Sequence, residues 1–140
     1  MLYVDTSVLV ALCTHEAKTA AVLKWYAACT DQIASAAWCV TEFASAMGIK
    51  QRSGQLTEAQ AHTAWLQFER MCANDLQMLP VEAMTFHSAA MLTMDASSGL
   101  RAGDSLHLAC ALEARAQGMV TLDVVLAKNA KRVKVTPVAI

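Results

Sequence analysis

At 140 residues, with 56% hydrophobic and 16% charged side chains, the chain has material for one domain with a sizeable core, which excludes a disordered polymer. A net charge of −1 excludes a global basic signature of nucleic-acid binding. The five cysteines show no C-x-x-C pair and no metal-ligand spacing with histidines, so they read as small core hydrophobes of a reducing compartment rather than a zinc site. No signal-peptide pattern occurs, and no run approaches the ~18 apolar residues of a membrane span. The expected location is cytoplasmic, with no membrane partner.

The chain opens on Leu2 to Val4, a short apolar run of strand formers stopped by Asp5-Thr6-Ser7. Val8 to Cys13 then resumes a helix-compatible pattern. Two readings of Asp5 stand side by side. An acid at the carboxyl end of a buried strand is a typical site position in an open α/β sheet. Asp is equally a favoured helix N-cap. His15 to Cys29 predicts a helix, and Thr30-Asp31-Gln32 breaks it. Ile33 to Ala36 predicts a second strand, and Trp38 to Arg52 a helix closed by Ser53-Gly54.

Thr57 opens the next helix with Gln60 in a capping-box pattern, and this helix runs to about Asn74-Asp75. Leu76 to Val81 predicts a third strand, with Pro80 marking its end or an edge. Glu82 to Met94 predicts a helix, Asp95 to Gly99 a loop, and Arg101 to Gln117 a patterned helix closed by Gly118. Met119 to Leu122 predicts a fourth strand, followed by Asp123, a short helix to about Ala130, and a last strand at Val133 to Val135. Strands alternating with helices predict a single α/β domain over residues 1–140. Its sheet is mostly parallel, with helices on both faces and a ligand site at the carboxyl ends of the strands.

Two more acids draw attention. Glu42 shares its helix face with Trp38, Ala46 and Ile49, and a carboxylate on an apolar stripe needs a cation, a hydrogen-bond partner or a raised pKa. A salt bridge to an arginine meets the same need. Asp104 reads either as a first-turn acid favoured by the macrodipole or as an inward acid sharing a face with Leu100, Leu108 and Ala111. His107, one turn on, reads as a packing or hydrogen-bonded histidine rather than a ligand. With Asp123, the set comes to four carboxylates. Brought together they would repel, and one or two divalent cations remove the conflict. Oxygen-only ligation suits Mg²⁺ or Mn²⁺ better than Zn²⁺, and phosphodiester hydrolysis is the chemistry such a site serves best.

Tyr3-Val4-Asp5-Thr6-Ser7, the Thr41-Glu42-Phe43-Ala44 helix, Leu100-Arg101-Ala102-Gly103-Asp104-Ser105-Leu106-His107 and Val120-Thr121-Leu122-Asp123 resemble, in order and spacing, a PIN domain. They are similar to the VapC-type toxins of VapBC toxin–antitoxin pairs. That resemblance spans essentially the whole chain. It implies a three-layer α/β/α sandwich and an endoribonuclease dependent on Mg²⁺ or Mn²⁺, hydrolysing RNA phosphodiester bonds with a metal-activated water. It also implies a homodimer and a cognate VapB-type antitoxin as partner. By motif, Asp5 and Asp104 become the principal metal ligands, Glu42 completes the catalytic acidic cluster, and Asp123 is its more variable fourth member. Thr6 or Ser7 would orient Asp5 or a water. Arg101 and the basic group Lys128, Lys131, Arg132 and Lys134 are candidates for phosphate contact, the latter alternatively a solvated rim.

Two other readings compete. A catalytically weak PIN-like interaction module could bind an antitoxin and co-regulate its operon, as the Met-rich, apolar composition suggests. A haloacid-dehalogenase-like phosphatase also starts from an Asp at a strand end, but it requires a second Asp where this chain has Ser7.

Overall fold

The structure, a computed structural model, describes residues 1–140. Strand β1 (Leu2–Val4) leads directly into helix α1 (Thr6–Cys13), so the helix starts two residues before its apolar run. Helix α2 (Thr19–Ala28) begins four residues later than His15. The Thr19 hydroxyl accepts from the Glu16 N–H and reaches the carbonyls of Ala11 and Thr14, which holds the intervening turn out of helix. Strand β2 (Ile33–Ala36), helix α3 (Trp38–Arg52) and helix α4 (Glu58–Asn74) follow, and the Thr57–Gln60 capping box is formed in both directions. Strand β3 (Leu76–Leu79) stops just before Pro80, which has no N–H to continue a ladder.

The second half contains helix α5 (Ala83–Met94), a single 3₁₀ turn at Ala96–Ser98 and helix α6 (Ala102–Glu113). Then come strand β4 (Gly118–Val120), helix α7 (Val124–Arg132) and strand β5 (Thr136–Pro137). Three sequence-based boundaries are corrected here. Helix α6 ends at Glu113, short of Gln117, because Arg115 takes a left-handed conformation (φ 52°) and Ala116 N–H bonds back to the Ala111 carbonyl. This is a Schellman closure made without glycine. Gly118 opens β4 instead of ending the helix, and a Cβ there would press on Leu2, Val138 and the Thr136 carbonyl.

The same closure displaces the last strand. Lys134 (φ 65°) is left-handed, and Val135 N–H bonds to the Ala130 carbonyl, so Val133 to Val135 form the helix terminus and not a strand. Pairing with β4 begins only at Thr136.

All five strands are parallel, in the order β3-β2-β1-β4-β5. The chain builds outward from β1 to β2 and β3, then crosses back to β4 and β5. The switch point therefore lies beside β1, where such sheets open a crevice at their carboxyl ends. Side chains alternate along β1. Val4 joins one core with α1, Phe43 and Met47 of α3, and Phe68 of α4. Tyr3 joins the other with Leu108 of α6 and Leu126 of α7. In the first core Phe43 and Phe68 stack with centroids 4.2 Å apart. Replacing either with alanine would cost about 3–5 kcal/mol, as for other buried aromatics. The architecture is the α/β/α sandwich expected, with the sheet parallel throughout. No helix is long and apolar enough to cross a membrane.

Candidate active-site cleft

The crevice beside β1 is a cleft of ≈ 470 Å³, lined by Asp5, Thr6, Ser7, Glu42, Arg101, Asp104, His107 and Asp123 among others. Four elements thus deliver four acids to one place. Asp5 is both a helix cap and a residue of the cleft. It caps α1 by accepting from the Val8 N–H (3.4 Å), and it lies at the floor of the cleft, 4% exposed. The Ser7 hydroxyl donates to its Oδ1 (2.6 Å) and the Thr121 hydroxyl to its Oδ2 (2.7 Å). Burial pushes the Asp5 carboxyl up, and the hydrogen bonds from Ser7 and Thr121 only partly oppose that. Ser7 also accepts from Leu122 N–H (3.0 Å), and Thr121 from Asp123 N–H (3.0 Å). These bonds tie the end of β1 to the turn after β4.

Glu42 stands on α3 at the edge of that helix's buried face of Cys39, Phe43 and Met47. Its Oε2 receives the Thr6 hydroxyl (2.5 Å) and lies 2.6 Å from His107 Nε2. Burial works to raise its pKa, yet the bonds from His107 and Thr6 outweigh that and hold the carboxyl below its ordinary range. Gly103 leaves room for it: a Cβ at that position would overlap Glu42 Oε1 and come within 3.3 Å of Trp38 Nε1. The Trp38 indole N–H faces the same gap without a hydrogen-bond partner.

Asp104 is in the first turn of α6, and Asp123 caps α7 through its Oδ1 to the Leu126 N–H (2.8 Å). Between them lies Arg101, whose Nε donates to Asp104 Oδ2 (3.2 Å) and Nη2 to Asp123 Oδ2 (3.3 Å). The arginine side chain is 79% exposed, so the pair is solvent-screened. Lys128, Lys131 and Arg132 continue along α7 outside the cleft, and Arg132 pairs with Asp95 (3.1 Å).

Three residues in or behind the cleft escaped the sequence reading. Thr121 was hidden inside a presumed strand, although it stands two residues before a selected acid. Tyr3, behind His107, stood only as one of the strand formers of the opening run. Lys50, two helical turns beyond Glu42 on the same face, pairs with Glu16 (2.5 Å) at the far end of the cleft.

The donor set is oxygen only, which suits a hard divalent ion. No three of the acids form a ready ligand set, and Asp104 and Asp123 each accept from Arg101. The donor chemistry fits such an ion, and Arg101 occupies one oxygen of each of Asp104 and Asp123.

Comparison with known proteins agrees with this fold. Three solved structures share the fold at low identity. VapC20 of Mycobacterium tuberculosis, a sarcin–ricin-loop-cleaving toxin, matches with TM-score 0.74 and 14% identity over 92% of this chain and 95% of that one. FitAcB of Neisseria gonorrhoeae matches with TM-score 0.74 and 16% identity over 99% and 97%. VapBC2 of Rickettsia felis, bound to a promoter DNA fragment, matches with TM-score 0.64 and 15% identity over 99% and 98%. No curated protein matches by sequence. The family profile of the PIN domain matches residues 2–132, nearly the whole chain including all four acids, and the chain therefore belongs to the PIN-domain family.

Proposed function

We propose that this chain is a Mg²⁺- or Mn²⁺-dependent endoribonuclease, the toxin of a type II toxin–antitoxin pair. The observation that carries the reading is the meeting of Asp5, Glu42, Asp104 and Asp123, from four elements, in one cleft at the carboxyl ends of the central strands. Asp5 and Asp104 would hold the ion, with Glu42 and Asp123 completing the cluster. A divalent cation bound there lowers the pKa of a coordinated water and neutralises charge on the scissile phosphate.

The chain's own groups do the rest. Ser7 and Thr121 hold Asp5 so that both of its oxygens keep a fixed aim. Glu42 has Oε2 held by Thr6 and His107, which fixes the carboxylate that completes the acidic cluster. Arg101, once released from the acids, is free to contact a phosphate, with Lys128, Lys131 and Arg132 as further contacts outside the cleft. With a net charge of −1, RNA binding must rest on these local groups.

A VapB-type antitoxin as partner is supported by the likeness to toxin–antitoxin complexes. A homodimer is supported by α5, which carries no charged residue and exposes Met84, Phe86, Met91 and Met94.

The test is cleavage of cellular RNA by the purified, antitoxin-free protein with Mg²⁺, Mn²⁺ or excess chelator, beside Asp104→Asn. The expected result is discrete fragments that vanish with chelator and fall by at least ~10²-fold in the variant, the scale of losing a group that stabilises transition-state charge. If folded wild-type protein cut no RNA with either metal, the nuclease would give way to an antitoxin-binding interaction module.

A further inference from the structure

A chain of buried hydrogen bonds runs from the sheet to Glu42. Ala36, the last residue of β2, donates its N–H to Tyr3 Oη (3.1 Å). Tyr3 Oη lies 2.8 Å from His107 Nδ1, and His107 Nε2 lies 2.6 Å from Glu42 Oε2. Tyr3 is fully buried and His107 is 2% exposed, so neither can turn to water for a partner. The two rings meet edge to face, centroids 5.8 Å apart.

Proton accounting fixes the direction of the chain. Tyr3 Oη already accepts from the Ala36 N–H and has His107 Nδ1 at 2.8 Å for its own proton, while the Glu42 carboxylate 2.6 Å from Nε2 can only accept and so calls for the ring proton there. Nδ1 therefore accepts, and the ring carries its proton on Nε2. That N–H points at Glu42 Oε2, with Thr6 Oγ1 a longer second acceptor at 3.1 Å. The Thr6 proton goes to the same Glu42 oxygen. Ala36 and Glu42 flank the corner between β2 and α3, so the relay closes a loop across that corner through β1 and α6.

We infer that His107, held in its Nε2–H form by Tyr3, is the positioning residue for Glu42, fixing Oε2 and with it the orientation of the carboxylate at the cleft. Tyr3 acts one step further back. Its role in cleavage rests on the nuclease reading; the relay itself does not. A ring that merely filled space would have no required tautomer, and an apolar side chain of similar size could replace it.

The experiment uses the full chain, ¹⁵N-labelled and carrying ¹³C-labelled glutamate. Two-bond ¹H–¹⁵N spectra should show His107 protonated at Nε2 in the wild type. Tyr3→Phe, which keeps the ring and removes the hydroxyl, should lose that single form. His107→Gln, which retains a donor near the Nε2 position, should keep the Glu42 carboxyl ¹³C resonance close to wild type, whereas His107→Leu should move it. In cleavage assays His107→Leu should lower kcat by about 10- to 100-fold with KM little changed, the usual cost of removing an orienting partner, and His107→Gln should recover most of the loss. A wild-type spectrum protonated at Nδ1 would overturn the relay. So would a folded His107→Leu protein with an unmoved Glu42 resonance. Wild-type protein that cuts no RNA would remove the nuclease reading alone, since the spectra decide the relay without turnover.

Discussion

The cleft has two walls of opposite character. On one, Glu42 is held by Thr6 and by a histidine 2% exposed, itself anchored through Tyr3 to the backbone of β2. On the other, Asp104 and Asp123 share an arginine that is 79% exposed. The first wall is organised before any ligand arrives. The second presents its charges to an internal cation that water already screens, and exchanging that cation for another costs little. Preorganisation and responsiveness are thus divided between neighbouring acids, with Asp5 on the floor belonging to the rigid side.

Gly103→Ala should break the rigid wall by adding a single methyl group. Its Cβ overlaps Glu42 Oε1, and the bonds to Oε2 prevent a simple retreat. A displaced carboxylate should lower kcat by about 10²-fold, the scale of a 1 Å misplacement. Stability should change less. An overpacking cost of about 1–3 kcal/mol is offset by the roughly 1 kcal/mol that alanine gains over glycine in a helix. Denaturant unfolding beside single-turnover kinetics would separate the two, and equal losses in both would count against a specific role for the gap.

Asp5 and Glu42 should then differ from each other in their pH dependence. The Asp5 carboxyl is raised by burial, so its contribution to stability is complete below the ordinary value of 3.8 and is lost as pH rises through the folded value. Glu42 is lowered, so its contribution is present above the ordinary value of 4.5 and is lost as pH falls through the folded value. Asp5→Asn should accordingly raise Tm by a few degrees at pH 7 while removing cleavage, and Glu42→Gln should lower it, with both differences shrinking in acid. Thermal melts from pH 3 to pH 8 in chelator read this directly. Shifts of the same sign would merge the two acids into one class.

Arg101→Ala should give the smallest change in stability, under about 1 kcal/mol, because its ion pairs are exposed. Its effect should appear in Mn²⁺ binding measured by calorimetry on the free protein. Releasing Asp104 and Asp123 should tighten that binding several-fold, even as RNA affinity falls. Weaker Mn²⁺ binding would mean that the arginine supports the acids rather than competing for them.

Much of this was legible in the chain. The strand–helix alternation, the capping box at Thr57 and the glycine closure of α3 follow from local chemistry, and the order of the four acidic motifs identified the family. The helix ends at Arg115 and Lys134 were not legible, since a left-handed residue without glycine leaves no local mark. Neither were the partners of the acids. Glu42 needed a cation, a hydrogen-bond partner or a raised pKa, and the partners it found are Thr6 on α1 and a histidine 65 residues away on α6.

The sequence by itself determined the elements, the parallel sheet and which acids stand at or near the carboxyl ends of its strands, because periodicity and capping act over a few residues. Only the tertiary structure decided that Tyr3 and His107 stand behind Glu42, that Thr121 holds Asp5, and that Arg101 bridges Asp104 and Asp123. Those pairings depend on which strands lie beside β1, and a hydrogen bond between residues a hundred positions apart exists only once the sheet has brought them together.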